Sequence, residues 1–318
     1  MQPIQFKTVM LMITGLSAIL MSAILIWAWA PDKNRADLEK IYALPPSAFI
    51  EVLGMRVHYR DIGPLGPAKP IQQTIIFLHG FGSSLQTWDA WVPSLAQTYR
   101  VVSLDLPGFG LTGANPSANY STAFINQFLS TFADQLQIPK AIWIGNSMGG
   151  RYAWEMAVLQ PERVDKLVLI SPDGFATKGF NYGETPTISP LLQMMRYFLP
   201  QAILKMNLKA AYADPVTMDE VLAQRYYDLM LAPGVRASMI DLMKQHVLTD
   251  PRPLLRRIQV PTLLIWGEQD GFIPITNAQD YLQVIPQAQL IRLPNIGHIP
   301  QEEKPQEGLN ALWQFLKS

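Results

Sequence analysis

Residues 141–150 carry a serine in a pattern that suits nucleophilic chemistry. The apolar end of a predicted strand runs into Gly-Asn-Ser-Met-Gly, in which Ser147 lies between Gly145 and Gly149. A serine at a sharp strand-to-helix turn exposes its hydroxyl, and only small residues fit two positions to either side. The backbone N–H of Met148 would point to the same place, as one donor of an oxyanion hole. The pattern predicts that Ser147 is a nucleophile.

A nucleophilic serine needs a base, and the chain has four histidines. His58 lies in an alternating segment and is predicted to be a surface or half-buried strand residue. His246 lies in a predicted helix among charged residues, and it is predicted to be a solvent-exposed side chain. His79 follows the apolar run 74–78 and opens a glycine-containing turn. His298 follows a late strand in a glycine-flanked loop, from which it can reach the serine, and it is the predicted base.

Asp270 is the predicted acid that orients this base. In the order serine, acid, histidine, the acid lies between the other two in sequence, and Asp270 follows the apolar strand predicted at 261–266. Glu268 in the same turn and Asp173 after an earlier strand are the competing carboxylates. All three are also residue types that turns favour.

Five stretches in this order resemble the α/β-hydrolase family, in its form with one domain and a cap. They are His79-Gly80-Phe81-Gly82, Asp105-Leu106-Pro107-Gly108-Phe109-Gly110, Gly145 to Gly150, Trp266-Gly267-Glu268-Gln269-Asp270 and Gly297-His298. The resemblance covers residues 49–318. It implies that Phe81 supplies the second oxyanion N–H, and that His79 and Asp105 have structural roles.

The residue at the nucleophile position separates branches of this family. Epoxide hydrolases and haloalkane dehalogenases of the fold place an aspartate where Ser147 stands, which disfavours both activities here. The Ser-Met-Gly-Gly form resembles carboxylesterases, monoacylglycerol lipases and hydrolases that cleave C–C bonds in ring-fission products. The triad alone does not separate these three.

Composition disfavours nucleic-acid binding and structural metal sites. The 318 residues include 25 basic and 25 acidic side chains, so the formal net charge is zero and no nucleic-acid partner is expected. The chain has no cysteine, and its histidines lack the spacing of paired metal ligands. We therefore expect neither a metal nor a cofactor. The oligomeric state stays open.

Residues 9–30 form an uncharged, largely apolar segment. At the helical rise its length is about 33 Å, enough to cross a bilayer core. Trp27 and Trp29 suit the aromatic belt at a membrane interface. We predict a single-pass N-terminal anchor; a cleaved secretory signal, with a small-x-small site at residues 28–30, and a buried core helix are the alternatives. Flanking charges leave the membrane face of the catalytic domain open.

The rest of the chain alternates short apolar strands with helices after an initial antiparallel pair and a loop at 63–67. This alternation predicts an α/β fold with a mostly parallel, doubly wound sheet. The alternation stops at 174–250, which is predicted to be helical, is rich in methionine and corresponds by resemblance to the cap. The expected organisation is a transmembrane anchor at 9–30, a linker at 31–48, a first core part at 49–173, a helical cap at 174–250 and a second core part at 251–318.

Together these features predict a serine hydrolase, a lipase or esterase that cleaves carboxylic esters of lipophilic substrates such as monoacylglycerols. Ser147 would attack the acyl carbonyl, His298 would take and return its proton, and Asp270 would orient His298. Water would then release the acyl group by the same base.

Two alternative functions remain open at this point. A C–C bond hydrolase of aromatic ring-fission products would need basic groups for its polar dienoate substrate, and Arg151, Arg196 or Arg225 could provide them. A catalytically silent, membrane-tethered binding protein is the alternative of a different class. A protein of that class would be recognised by the loss of a triad residue, and the sequence has a candidate for each of the three.

Overall fold

A computed structural model describes residues 3–64, 73–177, 179 and 181–317, with residues 3–9 described by their backbone alone. The strands in this part of the chain are β1 (Ser47–Val52), β2 (Met55–Ile62), β3 (Thr74–Leu78), β4 (Arg100–Leu104), β5 (Ala141–Asn146), β6 (Val164–Ile170), β7 (Thr262–Gly267) and β8 (Gln289–Leu293). They form one sheet in the order β1-β2-β4-β3-β5-β6-β7-β8. β2 is antiparallel to both of its neighbours, and all other pairs are parallel. The predicted fold class is confirmed.

Helices connect these strands and extend the chain at both ends. They are α1 (Pro3–Ala28), α2 (Arg35–Tyr42), α3 (Val92–Leu95), α4 (Thr122–Gln135), α5 (Met148–Leu159), α6 (Pro190–Gln193), α7 (Gln201–Lys209), α8 (Glu220–Met230), α9 (Val235–Gln245), α10 (Arg252–Leu255), α11 (Thr276–Val284), α12 (Pro300–Glu303) and α13 (Pro305–Lys317). Short 3-10 turns lie at 85–88, 161–163 and 194–196. The predicted loop at 63–67 extends outside the described residues from position 65 onward.

The sheet is buried on both faces, which explains why its central strands are apolar throughout. In β3, Ile75 and Phe77 belong to a layer that includes residues of α3 and α13. Ile76 and Leu78, pointing the other way, belong to a larger layer with α4 and α5. β5 lies between β3 and β6. Its C-terminal end, where Ser147 follows, therefore lies at the centre of the sheet.

Two glycines let β5 and α5 meet in a very close turn. A Cβ at Gly149 would overlap the carbonyl oxygen of Leu78, at the end of β3, and a Cβ at Gly145 would overlap the carbonyl oxygen of Gly149. Any larger side chain would push the helix away from the sheet. The spacing of glycine, serine and glycine is thus a packing requirement as well as a chemical motif.

α1 is long and apolar enough to cross a membrane, by length and composition. Its stretch Met10–Ala28 has a mean hydropathy of 2.2 and is almost wholly exposed. The helix ends two residues before the predicted boundary, because the backbone of Trp29 and Ala30 leaves it to pair with residues 197–198. The following segment 31–48, predicted as a linker, contains α2 and the start of β1.

Residues 174–250, which we call the cap, hold α6, α7, α8 and α9. The cap is tied to the chain between α1 and α2 as well as to the core. Lys33 forms an ion pair with Asp228 of α8 at 2.7 Å. Asp32 accepts a hydrogen bond of 2.6 Å from Arg236 of α9. The segment after α1 therefore runs along the cap rather than extending freely.

We expect Gly149→Ala to destabilise the fold by about 3 kcal/mol, because the added methyl group overlaps the backbone of β3. Thermal unfolding of the detergent-solubilised protein measures the loss. Gly63→Ala is the matched control, since a Cβ there meets nothing within 4 Å. Equal melting temperatures for the two variants would contradict this account of the turn.

Candidate active site

Ser147 occupies a strained backbone conformation at the centre of the sheet's C-terminal edge. Its φ is 54° and its ψ is −121°, a region that costs a non-glycine residue about 1–3 kcal/mol. Three backbone hydrogen bonds hold it there: its N–H donates to Ile170 at 2.9 Å, and its carbonyl accepts from Arg151 and Asp173, each at 3.0 Å. The side chain stays half-buried, and its Cβ lies 3.2 Å from the position that a Cβ on Gly80 would take. The strain is typical of a turn that presents a nucleophile.

The predicted base and acid are in direct contact. His298 Nδ1 lies 2.7 Å from Asp270 Oδ2, and both side chains are buried. The other oxygen of Asp270 accepts from the N–H groups of Phe272 and Ile273 at 2.8 and 2.9 Å. Burial alone would raise the pKa of Asp270, but His298 and the two N–H donors more than offset it and lower the pKa below its ordinary value. Asp270 is therefore held as a carboxylate facing the histidine.

Asn146, which the sequence analysis did not single out, joins the nucleophile turn to the histidine loop. Its Nδ2 donates to the carbonyls of Ile170 and His298, each at 3.1 Å. Gln301 in turn donates to its Oδ1 at 3.3 Å. Within the described residues, no hydrogen bond joins the Ser147 hydroxyl directly to His298; hydrogen bonds of this kind often tighten only when substrate is bound. The position of Asn146 directly before Ser147 in the motif was the sequence signal that could have identified it.

The two predicted oxyanion donors flank Ser147 from different elements. Met148 is the first residue of α5, where the helix N-terminus favours negative charge. Phe81 lies in the turn after β3, and its ring packs edge-on against Phe109 with centroids 5.4 Å apart. In the described part of the chain, neither backbone N–H donates to another protein group. Both donors are thus free for a ligand oxygen.

The competing carboxylates have other partners. Glu268 pairs with Arg292 at 2.9 Å in a partly exposed contact. Asp173 lies 3.3 Å from Arg151 and 3.4 Å from His246. His246, expected to be solvent-exposed, is instead half-buried in this contact at the end of α9. Neither carboxylate contacts His298.

His79 and Asp105 lie behind the site and shape its loops. His79 Nδ1 lies 2.8 Å from the carbonyl of Gly80, and its Nε2 accepts from Leu106 N–H at 2.9 Å. Because the ring is fully buried, the pKa of His79 is lowered and the neutral form is favoured. Asp105 Oδ1 accepts from Leu85 N–H and its Oδ2 from Leu111 N–H, both at 2.8 Å. These contacts stabilise the loops after β3 and β4.

The prediction that His58 is a surface or half-buried residue is wrong. His58 is completely buried, with its Nδ1 2.7 Å from Asp105 Oδ2 and its Nε2 2.9 Å from the Ser47 hydroxyl. Burial alone would raise the pKa of Asp105, but His58, with His79 and Leu85 N–H, keeps it below the ordinary value. The buried pair fixes the antiparallel end of the sheet to the loop after β4.

Two glutamates after His298 connect its loop to the cap, and the sequence analysis missed both. Glu303 accepts from the N–H groups of Gly297 at 2.6 Å and of Asp214 at 2.8 Å. Glu302 accepts from Tyr212 and Arg225, each at 2.6 Å. Their position next to the histidine motif was the signal that they have a role. Together they hold the segment 212–214, which follows α7, and Arg225 of α8 against the end of α12 and the histidine loop.

Apolar side chains from the cap and core surround the approach to the site. The Met239 methyl group lies 3.7 Å from where a Cβ on Gly82 would stand, so α9 covers the turn after β3. Phe272 is exposed and its ring packs edge-on against His298 at 5.3 Å. The backbone N–H of His298 donates to Ala211 of the cap at 2.7 Å. The described residues contain no cluster of three or more potential metal ligands.

Comparison with known proteins agrees with this fold. A family model described as the alpha/beta hydrolase fold matches residues 73–305. An uncharacterised hydrolase of Bacillus subtilis strain 168, YugF, is 27% identical over 278 residues, which cover 86% of this chain and 99% of that protein. A 2-hydroxy-6-oxo-6-phenylhexa-2,4-dienoate hydrolase of Burkholderia cepacia is 28% identical over 267 residues, covering 78% of this chain and 86% of that protein.

One solved structure matches the chain almost from end to end. It is described as a membrane phospholipase A and a bacterial virulence factor, and it superposes with a TM-score of 0.71 at 21% identity. The match covers 98% of each chain. Coverage this complete includes most of α1, so the shared fold extends beyond the sheet and cap.

We expect Asp105→Asn to destabilise the protein by about 3 kcal/mol at neutral pH, because it breaks a buried pair. The folded pKa of Asp105 lies below the unfolded value of about 3.9, so its stabilisation is present above that pH and is lost as pH falls through the folded pKa. In denaturant unfolding, the difference in the free energy of unfolding between the variant and the unmodified protein should therefore narrow as pH falls below the unfolded pKa of Asp105. Asp134→Asn, at an exposed ion pair with Arg163, is the control expected to change stability little. A difference that stays constant with pH would contradict the assignment.

Proposed function

We propose a function for this chain on the basis that it belongs to the alpha/beta hydrolase fold family. It is a hydrolase, and we propose that it cleaves carboxylic esters of lipophilic substrates through Ser147, His298 and Asp270. Monoacylglycerols and similar membrane lipids are the proposed substrate class. The chemistry needs no cofactor.

In the proposed mechanism, the Ser147 hydroxyl attacks the acyl carbonyl while His298 Nε2 accepts its proton. The N–H groups of Phe81 and Met148 stabilise the oxyanion, a contribution of about 3 kcal/mol per donor in comparable sites. His298 then returns the proton to the leaving alcohol, which gives an acyl-enzyme. Water activated by the same histidine releases the acid. Asp270 fixes the ring so that Nε2 faces the serine and stabilises the charged form.

One observation carries the choice of a lipophilic substrate: the apolar helix α1 is joined directly to the cap that covers the site. The N–H of Ala30 donates to Tyr197 and the N–H of Leu199 donates to Ala28, both at 3.0 Å. Cleavage of a secretory signal at residues 28–30 would break this pairing, which supports the proposal that α1 is a permanent anchor. The end-to-end likeness to a membrane phospholipase A supports the same proposal.

The C–C hydrolase alternative draws support from the name of the Burkholderia relative. It would require a cation for the carboxylate of a dienoate substrate. Each of the three arginines considered for this role is already paired with an acidic side chain: Arg151 with Asp173, Arg196 with Asp241 and Arg225 with Glu302. The paired charges favour an uncharged substrate, so the ester function is the better supported.

A series of p-nitrophenyl esters from acetate to palmitate tests the proposal on detergent-solubilised protein. We expect turnover that is highest for medium or long chains and that falls roughly 10⁵-fold in Ser147→Ala, because the nucleophile is lost. The variant should keep the melting temperature of the unmodified protein within a few degrees. Faster turnover of a ring-fission dienoate than of any ester would favour the C–C hydrolase, and a folded protein inactive on both classes would favour the silent binding protein.

Asp270→Asn tests the assignment of the acid. We expect kcat on the preferred ester to fall by roughly 10³- to 10⁴-fold, because the neutral amide no longer stabilises the charged histidine. Glu268→Gln is the matched control: it removes the carboxylate two residues away, whose partner is Arg292, and it should change kcat less than twofold, a difference of only about 0.4 kcal/mol. The assignment fails if the two variants lose activity equally.

A further inference from the structure

The cap has an exposed apolar surface in the segment that pairs with the end of α1. We define the α6–α7 face by its exposed side chains Leu191, Leu192, Met194, Tyr197, Ile203 and Met206. Their exposed fractions range from 39% at Leu192 to 78% at Leu191. Six large apolar side chains exposed within one short segment indicate a surface that is covered by a partner.

The α6–α7 face continues directly from the apolar surface of α1. Trp29 stacks on the Tyr197 ring with a centroid distance of 6.4 Å and an interplanar angle of 2°. It also packs edge-on against Phe198 at 5.6 Å. Aromatic side chains of this kind concentrate at the level of lipid headgroups. A bilayer that accommodates α1 up to Trp29 would therefore meet Tyr197 at its surface.

The segment that forms this face carries no acidic side chain. Residues 185–213 contain Arg196, Lys205 and Lys209 but neither aspartate nor glutamate. Arg196 pairs with Asp241 of α9 and Lys205 with Glu220 of α8, so these two bases are neutralised within the cap. Because the face continues the exposed apolar surface of α1 through the aromatic side chains of Trp29 and Tyr197, a bilayer rather than a second protein is the occupant that fits it.

α7 connects this face to the predicted catalytic histidine. The helix begins two residues after Leu199, which pairs with Ala28, and its nine residues span about 13 Å. Its far end leads to Ala211, whose carbonyl accepts from His298 N–H at 2.7 Å. The Ile203 and Met206 side chains thus lie between the end of the anchor and the histidine loop.

We propose that the α6–α7 face is a second membrane contact, seated in the headgroup layer of the bilayer that α1 crosses. It holds the entrance to the site at the lipid surface, so that an ester substrate reaches Ser147 from the bilayer. The delivery of an ester substrate from the bilayer rests on the proposed function. The membrane contact itself rests only on the proposal that α1 is a membrane anchor.

The chain has no cysteine, so single cysteines can carry spin labels without background. We would label Ile203→Cys and Met206→Cys in the full chain, reconstituted in vesicles of phosphatidylcholine and phosphatidylglycerol. Leu159→Cys is the matched control, because Leu159 is exposed and lies at the end of α5 remote from Ser147. Leu20→Cys reports on α1 itself. Accessibility to oxygen and to a water-soluble nickel complex measures the depth of each label.

We expect the labels at 203 and 206 to be protected from nickel and open to oxygen, unlike the label at 159. If the label at 20 is protected from nickel while the labels at 203 and 206 are fully accessible to it, the membrane contact of the α6–α7 face is overturned and the anchor stands. If the label at 20 is accessible to nickel as well, both the contact and the anchor are overturned. These readouts require no catalytic activity, so a failure of the ester proposal would be seen separately.

The combined variant Ile203→Gln and Met206→Gln tests the consequence for catalysis. We expect hydrolysis of a monoacylglycerol in the same vesicles to fall roughly tenfold, because two apolar side chains are lost from the interface. Turnover of p-nitrophenyl acetate, which is delivered from water, should stay unchanged. Equal losses on the two substrates, or no loss on either, would overturn the role in delivering substrate.

Discussion

The strained turn at Ser147 is the constraint on which the rest of the site depends. β5 and α5 reach this turn only because Gly145 and Gly149 carry no side chains where the backbones of β3, β5 and α5 meet. The turn that contains Gly80 and Phe81 also lies beside the serine, since a Cβ on Gly80 would stand 3.2 Å from Ser147 Cβ. The strain of about 1–3 kcal/mol is offset by burial of the central strands on both faces of the sheet.

The histidine loop depends on a second set of contacts, which are polar. Asn146 attaches it to the turn at Ser147, and Asp270 contacts the His298 ring from the turn after β7. Glu303 attaches the same loop to the cap through two backbone N–H groups. Since these contacts come from the end of β5, the turn after β7, α12 and the cap, His298 is positioned by the assembled fold rather than by its own loop alone.

The sequence was sufficient to predict the sheet and most element positions, because these follow from local patterns. It also singled out His298 and Asp270, which the structure brings into contact, whereas their catalytic roles stay a prediction. The run before Ser147 is apolar because β5 is buried, and the glycines follow from close packing. His58 was assigned incorrectly because its partner, Asp105, is 47 residues away and alternation alone gives no sign of it. The end of α1 depends on pairing with the cap, which no local pattern encodes. The contacts of Glu302 and Glu303 could not be predicted locally, because their partners Tyr212, Asp214 and Arg225 lie between 77 and 90 residues earlier, in the cap.

The contacts of Glu303 and Ala211 have a mechanical consequence. One carboxylate bonds the backbone on both sides of the boundary between cap and core, and a carbonyl of the cap bonds the backbone of the histidine itself. Separating the cap at residues 211–214 would break these bonds and displace His298. This edge of the cap and the histidine loop therefore form one mechanical unit, and a movement of the cap that leaves His298 in place must leave this edge in place as well.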